Sequence, residues 1–337
     1  MDAIPTTMRA VLIKDYDGGP ESMTIAEVPV PRPGPGQVLV RMEAAPINPS
    51  DVMFIQGLYG FKKPLPAIPG FEGSGTVVAA GSGMMPRVLP GRRVACAAAA
   101  PDIVGGTWAE YLVTSATLCV PLRKEVDMEQ GANMLVNPVT AWALLEEARR
   151  CGHGAVVQTA AASALGRMVV RLGRRFSVAT INVVRRPEQV DLLRKEGAEH
   201  VLDVNDAGFD AKLRELCHGL RASIGFDAVA GEMSGRILRA QPEGSRLLVY
   251  GALSQEASQV DPRSLIFEGK RLEGFWLSSW LRRKNLLDQF RMLGKVQGLL
   301  ATDLNTEIRA RLPLEEAKRG LEQYVSRMSS GKILLLP

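Results

Sequence analysis

The chain has 337 residues, 46% of them hydrophobic and 23% charged, with 41 Lys+Arg against 36 Asp+Glu. That length exceeds what one ordinary core fills and predicts two domains, while the composition is that of a globular protein and argues against extended disorder. The net charge of +5 is mild and its bases alternate with acids, as in RKEGAEH and LRRKNLLDQFR, so no nucleic-acid partner is expected.

The first 125 residues or so read as β-rich. MRAVLIKDY, MTIAEVPVP, QVLVRMEAAP, GSGTVVAAGSG and RRVACAAAA are short β-branched runs punctuated by Gly and Pro. PVPRPGPGQ reads as a rigid connection, because a strand pattern resumes directly after it. From about residue 126 the texture changes. MEQGANMLVNPVTAWALLEEARR carries helical spacing and ends in basic residues before Gly152, which suits a helix C-terminus. Strands and helices then alternate from GAVVQTAA through to GSRLLVYG, with strands apolar on both faces. This predicts a parallel sheet wrapped by helices, a doubly wound α/β domain. A long helical region over about 282–303, an amphipathic helix in LPLEEAKRGLEQYVSRMSSG and a last strand KILLLP complete the chain.

No apolar run approaches the roughly eighteen residues of a membrane span, and no membrane partner is expected. Cys96, Cys119, Cys151 and Cys217 are widely spaced without a CxxC, and His153, His200 and His218 are scattered. Neither a disulfide framework nor a metal site is indicated. MDAIPTTMRAVLIKDY has neither an apolar core nor an Arg-rich amphipathic stretch of the targeting kind. A reduced, cytoplasmic protein is the expectation.

A phosphate-binding turn is predicted where the strand GAVVQTA runs into AASALGR and then a helix. Laid on G-x-G-x-x-G, the three positions are Ala161, Ser163 and Gly166, so only the last glycine is kept. The strand–turn–helix context aims backbone N–H groups and the positive end of a helix at a pyrophosphate. Gly166 permits close helix–strand packing, and the Ser163 hydroxyl is available to a phosphate oxygen. An ordinary β–α turn of small residues is the other reading. At the end of the next strand, TINVVRRPE places Arg185 and Arg186 where an NAD-binding unit carries an acid. A carboxylate repels a 2′-phosphate and a guanidinium pairs with it, which favours NADPH over NADH. The competing reading is solvated surface arginine.

INPSD at 47–51, IPGFEGSGTVVAAGSG at 68–83 and GTWAEYLV at 106–113 resemble the recurring marks of the medium-chain dehydrogenase/reductase superfamily. That resemblance covers essentially the whole chain. It implies a GroES-like catalytic domain over 1–125, completed by about 304–337, and a Rossmann NADPH-binding domain over 126–303. Zinc-containing members carry a Cys in the first stretch and Gly-His-Glu in the second. Here Asn48 and Phe71 stand there, and the Cys-rich zinc loop is missing, so no metal is expected.

Within the zinc-free members the chain is similar to mitochondrial-type trans-2-enoyl-CoA/ACP reductases through IQGLYGFKKPLPAIPG, VNPVTAWALL, TINVVRRPE with GAEHVL, and EGFWLSSW. The FWL–W stretch also occurs in quinone-reductase-like proteins. The resemblance implies that Tyr59 is catalytic and that Asn137 and Thr140 of NPVTA lie against the cofactor. It maps the phosphate loop to Ala162, Ser163, Ala164, Leu165 and Gly166, where the family has Asn-Ser-Gly-Val-Gly. It maps the arginine pair to Arg185 and Arg186 with a spacing one residue shorter. The nicotinamide side falls on Tyr250, Gly251, Ala252 and Leu253 and on Phe275, Trp276 and Leu277, and the C-terminal lysine on Lys332. It also implies a homodimer through the Rossmann edge.

The chemistry so implied is hydride delivery to the β-carbon of an α,β-unsaturated carbonyl compound, with the Tyr59 hydroxyl stabilising the enolate oxygen or relaying a proton. By residue type alone, Tyr59 reads as a packed loop aromatic. Asn48 is either a catalytic side chain that orients substrate or ribose, or a helix cap before PSDVMF. Phe275, Trp276 and Trp280 either wall an acyl or quinone pocket or pack in the core or between subunits. Three functions stay open: enoyl-thioester reductase, quinone or small-enone reductase, and a non-enzymatic nucleotide-binding protein.

Overall fold

The computed structural model describes residues 3–16, 18–100, 103 and 105–337. Met1 and Asp2 of the N-terminal stretch read above lie outside these. The chain divides into two units, Met1–Val136 with Leu293–Pro337, and Asn137–Met292.

The first unit opens with β1 (Thr7–Ile13), β2 (Met23–Pro29) and β3 (Gln37–Pro46), followed by the short helix α1 (Pro49–Ile55). Next come β4 (Glu72–Ala80), α2 (Met84–Arg87), β5 (Arg93–Ala97), β6 (Tyr111–Ser115), β7 (Cys119–Pro121) and α3 (Met128–Ala132). The second unit runs α4 (Asn137–Arg150), β8 (Ala155–Gln158), α5 (Ala164–Arg175), β9 (Ala179–Val184), α6 (Pro187–Lys195) and β10 (His200–Asp203). It continues with α7 (Phe209–Gly219), β11 (Ile224–Asp227), α8 (Glu232–Ala240), β12 (Arg246–Val249), α9 (Pro262–Ile266), β13 (Arg271–Gly274), α10 (Leu277–Arg282) and the start of α11 (Leu286–Gly298). The chain then returns to the first unit with β14 (Ile308–Pro313), α12 (Ala317–Ser326) and β15 (Lys332–Leu336).

In the first unit β1 and β2 form an antiparallel ribbon, and a larger sheet has the order β14-β15-β3-β4-β5-β7 with β6 also paired to β3. The C-terminal strand β15 thus lies beside β3, where Leu334 pairs with Pro46. One apolar cluster joins Ile47, Phe54 and Ile55 around α1 to Phe71, Trp108, Leu321, Tyr324 and Ile333. The second unit is one parallel sheet in the order β10-β9-β8-β11-β12-β13. Relabelled by position along the unit, this is 3-2-1-4-5-6, the doubly wound order that reverses between its first and fourth strands. β8 and β11 are buried at every residue, as both-face burial in a parallel sheet requires.

The division differs from the expected bounds of 126 and 303. α3 packs on β3, β4 and β5, and Gln130 exchanges two 2.9 Å hydrogen bonds with the backbone of Thr306. The single helix expected from MEQGANMLVNPVTAW is two helices, interrupted over residues 133–136. The helical region expected over 282–303 also breaks, at Asn285, whose side chain accepts from Asp288 N at 2.9 Å and starts α11.

Candidate active site

In the second unit the strand–turn–helix after β8 forms as expected. Ser163 caps α5, accepting from Gly166 N at 3.1 Å, and keeps its own hydroxyl proton to donate. The amides of Ala164 and Leu165, in the first turn, have no acceptor within the helix. A Cβ on Gly166 would lie 2.4 Å from Ala161 O, so the close approach of helix to strand depends on that glycine. Ala160 has φ 48°, a left-handed conformation that costs an alanine about 1 kcal/mol. The tight turn therefore falls one residue before the position assigned to the first glycine.

Arg185 follows β9 directly. Its backbone is held by Asn205 Nδ2, which donates to Arg185 O at 2.9 Å, and its side chain is exposed. Arg186 caps α6, with its Nε 3.4 Å from Glu188 Oε1. Both side chains reach solvent, that of Arg186 at 42% exposure, and the two differ in that Arg186 has Glu188 beside it. Asn137 and Thr140 lie buried in the first turn of α4. Tyr250–Leu253 follow β12 and Phe275–Leu277 follow β13, at the same carboxyl edge of the sheet as the β8 and β9 turns. This is the edge at which doubly wound sheets receive ligands.

Sequence reasoning missed Asp227, the buried last residue of β11. Its Oδ1 accepts from Thr159 Oγ1 at 2.8 Å and from Val229 N at 2.9 Å, and its Oδ2 from Ser234 Oγ at 2.7 Å. One carboxylate so ties the turns after β8 and β11, on either side of the point where strand order reverses. The Tyr250 hydroxyl is buried without a hydrogen-bond partner among the described residues, and burial raises its pKa. An orphaned phenol, a helix-start amide cradle and an exposed guanidinium at the next strand end fit a dinucleotide phosphate chain at this edge. Trp280, by contrast, is buried, and its Nε1 donates to Glu147 Oε1 at 2.8 Å. It packs against α4 rather than walling a pocket.

In the first unit, Tyr59 lies in the turn after α1, where Leu58 N and Tyr59 N both donate to Met53 O. Its half-buried ring is 4.6 Å from that of Phe71 and 5.1 Å from that of Phe61, centroid to centroid. Asn48 stands at the N-cap of α1, with Pro49 in the first position and Asp51 Oδ2 accepting from Asn48 N at 2.8 Å. The Asn48 side chain is fully buried. Its Nδ2 donates to Glu72 Oε1 at 2.9 Å and its Oδ1 accepts from Lys332 Nζ. Each end of its amide thus has a partner inside the unit, and its N-cap position matches the helix-cap alternative. Lys332 lies in the same cluster. It is buried, donates also to Ile47 O at 3.0 Å, and lies 5.2 Å from the centroid of the Tyr324 ring.

Asp51 and Glu72, not singled out in the sequence, complete this cluster. Asp51 Oδ1 accepts from Phe71 N at 3.0 Å. Glu72 Oε2 accepts from the backbone amides of Leu135 and Val136, both at 2.8 Å. Burial pushes both carboxyls up to about 7, against the pull of the neighbouring ammonium, and pushes Lys332 down to about 8. The detectable signal was acidic and basic residues inside apolar runs, Glu72 in IPGFEG and Lys332 in KILLLP. Among the described residues no three His, Cys, Asp or Glu side chains are grouped to hold a metal ion.

Two family models match the chain: the alcohol dehydrogenase GroES-like domain over residues 34–124 and the zinc-binding dehydrogenase over residues 164–291. A mitochondrial enoyl-acyl-carrier-protein reductase of Arabidopsis thaliana is 32% identical over 95% of this chain and 85% of its own length. The human protein of that name is 30% identical over 99% and 90%. Among solved structures, a candidate NADPH:quinone reductase of Mesorhizobium loti superposes with a TM-score of 0.92 at 36% identity, covering 99% of this chain and 100% of that one. A mycobacterial protein solved with NADPH gives a TM-score of 0.84 at 25% identity, over 98% and 100%.

Proposed function

Because the chain belongs to the medium-chain dehydrogenase/reductase superfamily and is an oxidoreductase, we propose that it is a zinc-independent, NADPH-dependent reductase of an α,β-unsaturated carbonyl compound, a 2-enoyl thioester before others. The observation that carries this reading is Tyr59: a phenol held between Phe61 and Phe71 on the turn after α1, in a chain whose curated relatives are enoyl reductases over nearly its full length.

NADPH, when bound, supplies the hydride for the β-carbon. Ser163 and the first amides of α5 would hold its pyrophosphate, and Arg185 would receive the 2′-phosphate. Asn137, Thr140 and the residues after β12 and β13 line its remaining length. The Tyr59 hydroxyl would donate a hydrogen bond to the substrate carbonyl oxygen, where negative charge grows on forming the enolate, and a proton from Tyr59 or from water would then complete the α-carbon. One such donor is worth on the order of 3 kcal/mol to the barrier. Zinc independence is supported by Lys332, whose ammonium sits against Asn48 beside Glu72, because a buried cation there opposes the approach of a second one.

A quinone or small enone is the second reading, favoured by the Mesorhizobium loti structure. The proposal includes a homodimer through β13. That strand ends the parallel sheet, and its own Leu272 and the nearby Ile266 and Phe267 at the end of α9 are exposed, which leaves an open sheet edge with apolar side chains available to a partner. The test is NADPH oxidation with crotonyl-CoA and with a simple quinone in parallel, NADH serving as control. Turnover of the thioester supports the first reading, and turnover of the quinone alone moves the chain to the second. NADPH binding without turnover of either overturns both and leaves a nucleotide-binding role.

A further inference from the structure

Asp227, the last residue of β11, is a fully buried carboxylate whose donors are hydroxyls and backbone amides. Its Oδ1 takes Thr159 Oγ1 at 2.8 Å, Val229 N at 2.9 Å and Ala230 N at 3.2 Å, and its Oδ2 takes Ser234 Oγ at 2.7 Å. A buried carboxylate is expensive to keep. Packing alone would be served by an apolar residue in a strand buried at every position. The donors belong instead to two turns of unusual backbone. Ala160, next to Thr159, has φ 48°, and Ala230 has φ 64°. Both lie in the left-handed region that glycine enters freely and alanine does not. Thr159 Oγ1 also accepts from Ala228 N at 2.8 Å, which joins the two turns a second time. The turn after β12 rests on them in its turn: Tyr250 N donates to Asp227 O at 2.9 Å, and Leu253 N to Ala228 O at 3.0 Å.

We propose that Asp227 is a positioning residue for the cofactor, holding the turns after β8 and β11 in the left-handed bends at Ala160 and Ala230. The inference rests on the reading given above of the β8 turn and the first turn of α5 as the seat of the pyrophosphate. Ala160 bends the chain as it leaves β8, just ahead of the cap Ser163. Ala230 bends it after β11, and Ser234 ties the first turn of α8 to the same carboxylate. Every bond in this set joins residues of the second unit. Because the bends are held before a ligand arrives, binding does not have to restore them.

The experiment uses Asp227→Asn in the full chain. The asparagine keeps the shape of the side chain but turns an NH2 group toward donors, so at least one of them loses its acceptor. NADPH affinity is read by fluorescence titration, which needs no substrate, and kinetics are read with whichever acceptor the wild type reduces. The expected result is NADPH affinity weakened about tenfold, KM for NADPH raised in step, and kcat at saturating NADPH within about twofold of the wild type. Adding Ala160→Gly and Ala230→Gly to Asp227→Asn should recover about threefold or more of that affinity, because glycine takes both bends unaided. Leu213→Ala, in the apolar cluster under α7, is the control for lost stability and binds NADPH as the wild type does. Should Asp227→Asn fail to fold, Thr159→Val severs only the tie to the β8 turn and weakens NADPH binding about threefold. NADPH binding unaltered in the folded Asp227 or Thr159 variant, weakened no more than in Leu213→Ala, or not recovered by the two glycines, overturns the proposal. A wild type that binds NADPH but reduces nothing overturns the functional reading alone, since the titration still reads Asp227. A wild type that does not bind NADPH overturns both.

Discussion

Lys332 donates to the side-chain oxygen of Asn48 across 284 residues of chain, joining the last strand to the first helix of the same unit. The bond is one of the contacts that hold the returning segment to this unit, beside strand pairing and the apolar cluster. β15 seats against β3, and the ammonium it carries neutralises a cluster that would otherwise hold Asp51 and Glu72 as buried, unpaired carboxyls.

Removing the ammonium should therefore be costly. Lys332→Met keeps the length of the side chain and leaves Ile47 O and Asn48 Oδ1 without a donor. Breaking one side of a buried charge cluster typically costs about 3–5 kcal/mol. Urea unfolding should show a loss of that order; a midpoint unchanged from the wild type would mean that the cluster is not paired as described.

The same cluster sets a pH dependence of stability. Burial raises Asp51 and Glu72 from ordinary values of 3.8 and 4.5 to about 7, so between those limits the folded chain holds protons the unfolded chain has lost. Stability from these groups is greatest below the unfolded values and falls as pH rises toward about 7. Glu129 and Glu273 are shifted the other way, held down by hydrogen bonds from Arg311 and Arg246, and act below this window, while His153, lowered by burial from its ordinary 6.5, opposes the trend within it as one half-buried group against two fully buried carboxyls. The thermal midpoint should be lower at about pH 7.5 than at about pH 5.5, with the difference reduced in the double variant Asp51→Asn, Glu72→Gln. A midpoint that rises across that interval would contradict the assignment.

The parallel sheet was legible because its strands are apolar on both faces and punctuated by turns, and Gly166 was legible because a helix can approach a strand that closely only over a missing Cβ. The Tyr59 turn was found through its resemblance to a family, and the structure adds its packing against Phe61 and Phe71. The Asn48–Glu72–Lys332 cluster was not legible as a whole. Its members are separated by 24 and 284 residues, and no local periodicity connects them. The break before Asn137 escaped for a related reason: the amides of residues 135 and 136 bond to the carboxylate of Glu72, distant in sequence at the head of β4.

The two arginines after β9 should not be equivalent. Both reach solvent, but Arg186 stands at the N-cap position of α6 with Glu188 beside it, and that carboxylate competes for its guanidinium. Arg185→Gln should narrow the preference for NADPH over NADH by roughly tenfold, the scale of one charge-assisted phosphate contact, and Arg186→Gln should narrow it less. Kinetics with both cofactors checks this. An unaltered ratio in Arg185→Gln would move recognition of the 2′-phosphate elsewhere.

Gly166→Ala should act on stability and binding together. The added methyl meets Ala161 O at 2.4 Å, so α5 must back away from the β8 turn at a cost of about 1–3 kcal/mol. A lower unfolding midpoint and weaker NADPH binding are expected from thermal unfolding and fluorescence titration. A variant that binds as the wild type does would show that the cradle tolerates the shift.

The most direct test of the proposed chemistry is the turnover of Tyr59→Phe with saturating NADPH and an enoyl thioester. The change removes one hydroxyl and leaves the ring between Phe61 and Phe71. Turnover should fall by about a hundredfold to a thousandfold, with NADPH affinity within about twofold of the wild type. Turnover equal to the wild type would contradict the assignment of Tyr59 as the donor to the developing enolate.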